Sequence, residues 1–169
     1  MLQNKVNLYP SNGIPGQQVA FGQAVYTPEN YVSDGTVKCG CFAFAKANTT
    51  NATAVTFPLA SVKASAGAVA IGLVERTFSA TVGLDGIDTD VYPQGAELTI
   101  AIRGDYYIEA PATATVDQSV LCDPATGAVT FGTAGSANDT GWVVKTAGAK
   151  GDLIVISNHG VNAIPAKSA

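Results

Sequence analysis

The chain has 169 residues and a mass of 17.1 kDa, enough to bury roughly 70% of its unfolded surface around one core without disulfides or metals. A formal net charge of −4, a pI near 4.7 and nine scattered Lys and Arg residues, no two adjacent, exclude the clustered positive charge that phosphate-backbone binding needs, so no nucleic-acid partner is expected. No apolar run approaches the ~20 residues that span a bilayer, so no membrane partner is expected either.

Residues 1–22 contain Pro10, Gly13, Pro15 and Gly16, with a few apolar residues, among them Leu2, Val6, Leu8 and Tyr9, that have no sustained period. The prolines rule out a helix through the segment. It reads as an extended arm with little to pair with inside its own fold, laid on the body or on a neighbour.

Residues 23–158 read as a β body of seven or eight strands. Residues 36–46 (TVKCGCFAFAK) alternate with Val37, Cys39 and Cys41 on one face, then change phase at Phe42 and Phe44. The change predicts a bulge near Gly40 or a strand bending from one sheet to another. A polar loop, 48–53, precedes a short extended piece at 55–59. The Ala- and Ser-rich stretch 61–70 has room for a helical turn, but Gly67 and the weak apolar pattern argue against a long helix.

Strands are expected next at 69–78 and at 97–103, where period-2 alternation puts Leu98, Ile100 and Ile102 on one face and Glu97, Thr99 and Arg103 on the other. Gly104 interrupts. The strand then resumes with Tyr106 and Ile108 on one side and Tyr107 and Glu109 on the other. Residues 116–122 and 128–131 flank the turn Asp123-Pro-Ala-Thr-Gly127, whose Pro presets one φ and whose Gly accepts a positive φ. After the Gly, Ser and Asn-rich loop 132–140, residues 142–146 and 153–157 form a last hairpin. Residues 159–169 are a polar tail. The fold class is all-β: a single β-barrel or sandwich, jelly-roll-like, with an extended N-terminal arm.

Only 13% of residues are charged, against about 25% in typical globular proteins, so much of the surface must be small and neutral. Such a surface suits a protein packed against neighbours. The first residues lack the apolar core of a signal peptide, and three cysteines, an odd count, fit a reducing compartment; synthesis in a cytoplasm is expected. The Asn-x-Thr triplets at Asn48, Asn51 and Asn138 are then coincidences of composition.

Nothing in the chain reads as a catalytic centre. His159 is the single histidine, and Ser157-Asn158-His159 is a local string at a strand end, not a poised nucleophile. Cys39 and Cys41, with a distant Cys122, fall short of four zinc ligands and read as small buried residues. Asp85, Asp88 and Asp90 fail the EF-hand order, since the sixth position is Asp90 and the twelfth Ala96, and read as an acidic turn. Nothing brings Glu75, Glu97 and Glu109 together as a glycosidase pair. Glu75 and Arg76 are neighbours on a strand and face opposite ways, so an inward one needs a distant partner. No catalytic residue, metal or cofactor is expected. Trp142 belongs in the core. Of the adjacent Tyr106 and Tyr107, one faces the core and the other solvent or a partner; Tyr107 joins Leu2, Val6, Leu8 and Tyr9 as the candidate partner interface.

Several pieces in order, the opening MLQN with its arm, GLVERTFSATVG, the YPQG turn before TIAIRGDYYIEA, the DPATGAVTF hairpin and the closing GWVVKTAGAKGDLIVISN, resemble the structural cement (capsid decoration) proteins of tailed bacteriophages over roughly residues 34–158. The resemblance implies a compact β body on the outside of an expanded capsid shell. It further implies bridging of the major capsid protein as a dimer or trimer, no enzymatic activity, and a virion location after synthesis in the host cytoplasm. A glycan- or receptor-binding β-sandwich of a phage tail or particle is the alternative, and a small hydrolase on a β scaffold a more remote one.

Overall fold

Val, Ile, Phe and Tyr recur between Gly and Pro turns along the chain, the pattern of short strands joined by tight reversals. The computed structural model describes residues 13–19, 24–46, 57–65, 68–77 and 90–159. Among them there is no helix, and there are twelve strands: β1 (Val25–Tyr26), β2 (Tyr31–Ser33), β3 (Phe42–Lys46), β4 (Leu59–Ser61), β5 (Ala70–Val74), β6 (Glu97–Leu98), β7 (Ile100–Arg103), β8 (Asp105–Glu109), β9 (Ser119–Cys122), β10 (Val129–Gly132), β11 (Asp139–Val144) and β12 (Leu153–Ser157).

They form two sheets. The first has the order β1-β7-β5-β3-β4-β2-β6, antiparallel except for the parallel β2–β4 pair; the second, all antiparallel, has the order β10-β9-β11-β12-β8. In the first sheet β6 is one edge and β7 lies next to the other, yet only Thr99 separates them in the chain. Two residues apart, their ends lie no more than about 7 Å from each other, so the sheet must curl back on itself. No ladder joins β6 to β7 among the described residues. The result is a sandwich with one strongly curled sheet, so the sandwich expectation holds and a closed barrel does not form.

Alternation along the strands builds two cores. Phe42, Phe44, Leu73 and Ala101 of the first sheet meet Tyr106, Ile108, Val120, Cys122, Val129, Trp142, Val144, Ile154 and Ile156 of the second. Trp142 is buried as expected, edge-on to Phe42 at 6.2 Å and to Tyr106 at 6.0 Å between ring centroids, the arrangement that opposed ring quadrupoles favour. The intervening residues point the other way. Tyr31, Ala43, Ala60, Val74, Leu98 and Ile100, one from each of β2 to β7, enclose a second core with Val37, Cys39 and Tyr92. The curl therefore surrounds this second core.

Two expectations need correction. Residues 36–46 are not one strand: Lys38 makes an isolated bridge to Val91, the chain turns at Cys39 and Gly40, and β3 starts only at Phe42. Gly40 has φ of 71°, a left-handed conformation that breaks a strand, and this turn is the phase change visible in the sequence. Residues 97–103 are two strands with different partners, β6 on β2 and β7 on β5 and β1. Leu98 and Ile100 point inward, but Ile102 is 39% exposed, because the second core ends at Ile100. The stretch 61–70 holds β4's last residue and β5's first, with the Ala68 N–H on the Ser65 carbonyl at 2.9 Å between them; residues 66–67, where a helical turn had room, lie outside the described residues.

The hairpin of β9 and β10 forms on the expected turn. The Asp123 carboxylate accepts from the Ala125 N–H at 2.9 Å and the Thr126 hydroxyl at 2.6 Å, and the Gly127 N–H donates to the Asp123 carbonyl at 2.8 Å. The Gly127 carbonyl in turn accepts from Phe42 N–H at 2.8 Å, which anchors the hairpin to the start of β3. Gly104 carries the chain from the first sheet to the second. Its N–H donates to the Asn158 side chain at 2.9 Å, and the Asn158 amide donates to the Ile102 carbonyl at 2.6 Å. Asn158 thereby clamps both sides of the corner.

Candidate assembly surface

Pro has no N–H and Gly no side chain, so a Pro-Gly pair presents bare carbonyls and lets another backbone come close. Pro15 and Gly16 use both properties at the seam between the sheets. The reversal is closed by the Gln17 N–H on the Ile14 carbonyl at 3.0 Å, with Gly16 at φ 83°. Residues 16–19 then run antiparallel to the edge strand β8: Gly16 N–H donates to the Tyr107 carbonyl at 2.8 Å, Tyr107 N–H to Gln17 at 2.9 Å, and Val19 N–H to Asp105 at 3.0 Å, around a Gln18–Tyr106 bridge.

The same turn is bonded to the other sheet. Arg76, just beyond β5, donates its backbone N–H to the Gly16 carbonyl at 2.8 Å and its Nε to the Pro15 carbonyl at 2.9 Å. A Cβ on Gly16 would stand 2.8 Å from the Gly40 nitrogen, so only glycine fits. The expectation that the arm has little to pair with is thus overturned for residues 13–19, which form a strap across both sheets and cover the β8 edge. The sequence signal was present in Pro15-Gly16, but its partners are 60 and 90 residues away. Of the candidate interface residues, Leu2, Val6, Leu8 and Tyr9 lie outside the described residues. Tyr107 is half-buried with Gly13 against its ring, while Tyr106 is fully buried.

Glu75 and Arg76 face opposite ways and each finds a distant partner. The Tyr106 hydroxyl donates to Glu75 Oε2 at 3.1 Å, and the Tyr92 hydroxyl donates to the Glu75 carbonyl at 2.6 Å. Arg76 Nη2 meets Asp90 Oδ1 at 2.6 Å. Burial, first, and then the hydrogen bond with Tyr26 and the Glu75 charge push the Tyr106 phenol far above its ordinary range. These contacts satisfy the rim, and no buried side-chain N or O among the described residues lacks a partner.

The residues tested for chemistry take structural places. Ser157 is buried, and its hydroxyl accepts the His159 backbone N–H at 3.0 Å, a strand-end cap. Cys39, Cys41 and Cys122 are free thiols. Burial raises all three, Cys122 to about 12, so they stay protonated near neutral pH and are poor nucleophiles. Asp85 and Asp88 lie outside the described residues, and Asp90 is taken by Arg76. Among the described residues no three His, Cys, Asp or Glu side chains are grouped to hold a metal.

The described residues thus form a two-sheet, helix-free body laced along its seam by an N-terminal strap. Residues 2–158 match the family model described as structural cement protein (E217 gp24/Pam3 gp6), and the chain belongs to that family. A chain in a solved structure titled "The capsid of Myoviridae Phage XM1" superposes with a TM-score of 0.61 at 13% identity, covering 95% of this chain and 98% of that one; at that identity the likeness is one of fold. No curated protein matches. Family membership makes this a structural protein associated with the capsid of a phage virion.

Proposed function

We propose that the protein binds the outside of the expanded shell and stabilises it by bridging major capsid subunits, acting as a dimer or trimer and without catalysis. The observation that carries the reading, beyond family, is the strap. Its root is bonded into both sheets, so tension on residues 1–12 is borne by the seam of the body and not by a loose end. Leu2, Val6, Leu8 and Tyr9 supply apolar contacts to a neighbouring subunit, and Tyr107 seats the root of the strap at Gly13. Pressure from packaged DNA pulls subunits apart, and each bridge must break before they separate. An interface of about 1,200–2,000 Å² suffices for specific binding, and repetition over a closed lattice multiplies it.

Cosedimentation of the purified protein with compact and expanded shells of its cognate capsid protein tests this. Saturable binding to the expanded form alone supports the reading, and the copy number identifies the symmetry axis. A folded protein that binds neither form overturns it. Deleting residues 1–12, which leaves the strap bonds intact, is expected to weaken binding at least about tenfold; undiminished binding removes the arm from the bridge.

A further inference from the structure

On the outer side of the curled sheet a groove of about 340 Å³ is lined by Asn30, Val32, Phe57, Gly95 and Glu97. Its construction follows from register. Val32 pairs with Glu97 on one side and Leu59 on the other, and their neighbours Tyr31 and Leu98 point into the second core, so Val32 and Glu97 must point out. The Val32 N–H donates to the Pro58 carbonyl at 3.0 Å, which holds Phe57 beside the floor of the groove with half of its surface open. Gly95 adds to the lining from the Pro93-Gln-Gly-Ala96 turn, which is closed by the Ala96 N–H on the Pro93 carbonyl at 3.1 Å, and a Cβ on Gly95 would meet nothing within 4 Å.

The chemistry of this groove is specific. Phe57 presents an aromatic face with half of its surface exposed. Glu97 is a carboxylate without a hydrogen bond or ion pair among the described residues, and Asn30 offers a further carbonyl acceptor. An apolar occupant would displace water from the exposed Glu97 carboxylate and put nothing in its place. A guanidinium would compensate it with paired hydrogen bonds while lying flat on the phenyl ring. The volume, at the low end of ligand pockets, suits one long side chain better than an extended chain.

We propose that this groove receives an arginine side chain projecting from the capsid subunit on which the protein sits. The inference rests on the cement reading for the identity of the partner, but the chemistry of the groove is testable without a shell. In a ¹⁵N NMR titration, argininamide is expected to shift the amides of Val32, Gly95 and Glu97. Citrullinamide, which keeps the α-amino group but replaces the guanidinium by a neutral urea of the same shape, is not. Equal response to both, or to neither, overturns the proposal whatever the shell does. On expanded shells, Phe57→Ala and Glu97→Gln, both at surface positions and checked for unchanged melting, are each expected to weaken binding roughly tenfold, with Glu97→Gln also flattening the salt dependence. Wild-type affinity in both variants overturns the groove and leaves the cement reading standing; failure of the wild type to bind overturns the cement reading. Capture of a sugar on a glycan array, abolished by Phe57→Ala, would assign the groove to carbohydrate and overturn the proposal.

Discussion

Gly13 lies against the ring of Tyr107 so closely that a Cβ on Gly13 would come within 2.4 Å of the ring carbon Cδ2. With Gly13 at φ 138°, any other residue is both strained and in collision. Gly13→Ala is therefore expected to push the strap root off the ring and destabilise the protein by about 1–3 kcal/mol. Thermal melting and limited proteolysis near residue 13 measure it; unchanged melting with unchanged protease resistance would show that Tyr107 does not hold the strap.

Arg76 separates two kinds of contact. Its pair with Asp90 is exposed on the Asp90 side, whose side chain is 52% accessible, and such pairs contribute about 0–1 kcal/mol. Its Nε bond to the Pro15 carbonyl belongs to the strap. Asp90→Ala is expected to melt within about 1 kcal/mol of wild type, whereas Arg76→Ala leaves the Pro15 carbonyl without its donor and costs about 1–3 kcal/mol. Equal losses in the two variants would contradict this division.

At the corner between the sheets, Asn158 holds the Gly104 N–H and the Ile102 carbonyl. Asn158→Leu removes both bonds and is expected to cost about 1–3 kcal/mol. Hydrogen exchange at the Gly104 amide gives the local readout, and exchange as slow as in wild type would rule out the clamp.

Trp142 fills the inter-sheet core between Phe42 and Tyr106. Trp142→Ala is expected to cost about 3–5 kcal/mol, seen in the denaturant midpoint together with loss of near-ultraviolet dichroism. A smaller loss, under about 1 kcal/mol, would mean that the two sheets collapse into the gap.

Asp34 makes stability pH-dependent. Burial raises its carboxyl, but hydrogen bonds from Thr36 and Lys46 outweigh this and hold it below the ordinary value. A group depressed in the folded state contributes stability that is fully present above its unfolded pKa, about 3.9, and is lost as pH falls through its folded pKa. Melting of wild type relative to Asp34→Asn should therefore show an advantage at pH 6 that shrinks below about pH 4. A constant difference across that range would remove Asp34 from the acid response.

Much of the second sheet was legible from the chain. Residues 153–157 are β12 with the expected bounds, the Asp123-to-Gly127 turn joins the expected partners, Trp142 and Tyr106 are core, and Tyr107 faces outward. The groove and the strap were not. Glu97 looked like one polar position in an alternating strand, and Phe57 like the middle of a short extended piece; nothing in either segment says that the two flank Val32.

Alternation, turn residues and composition are properties of neighbours in sequence, and by themselves they determined an all-β protein of short strands. Partner choice was decided only in the tertiary structure. The parallel β2–β4 pair, the curl that brings β6 back to β7, the turn at Gly40 in place of a continuous strand, and the Pro15-Gly16 strap each depend on contacts between segments tens of residues apart. A backbone carbonyl is the same acceptor in every residue, so the sequence carries no local mark of which distant N–H will reach it. Burial of the second core selects the curl, and the curl then selects the partners.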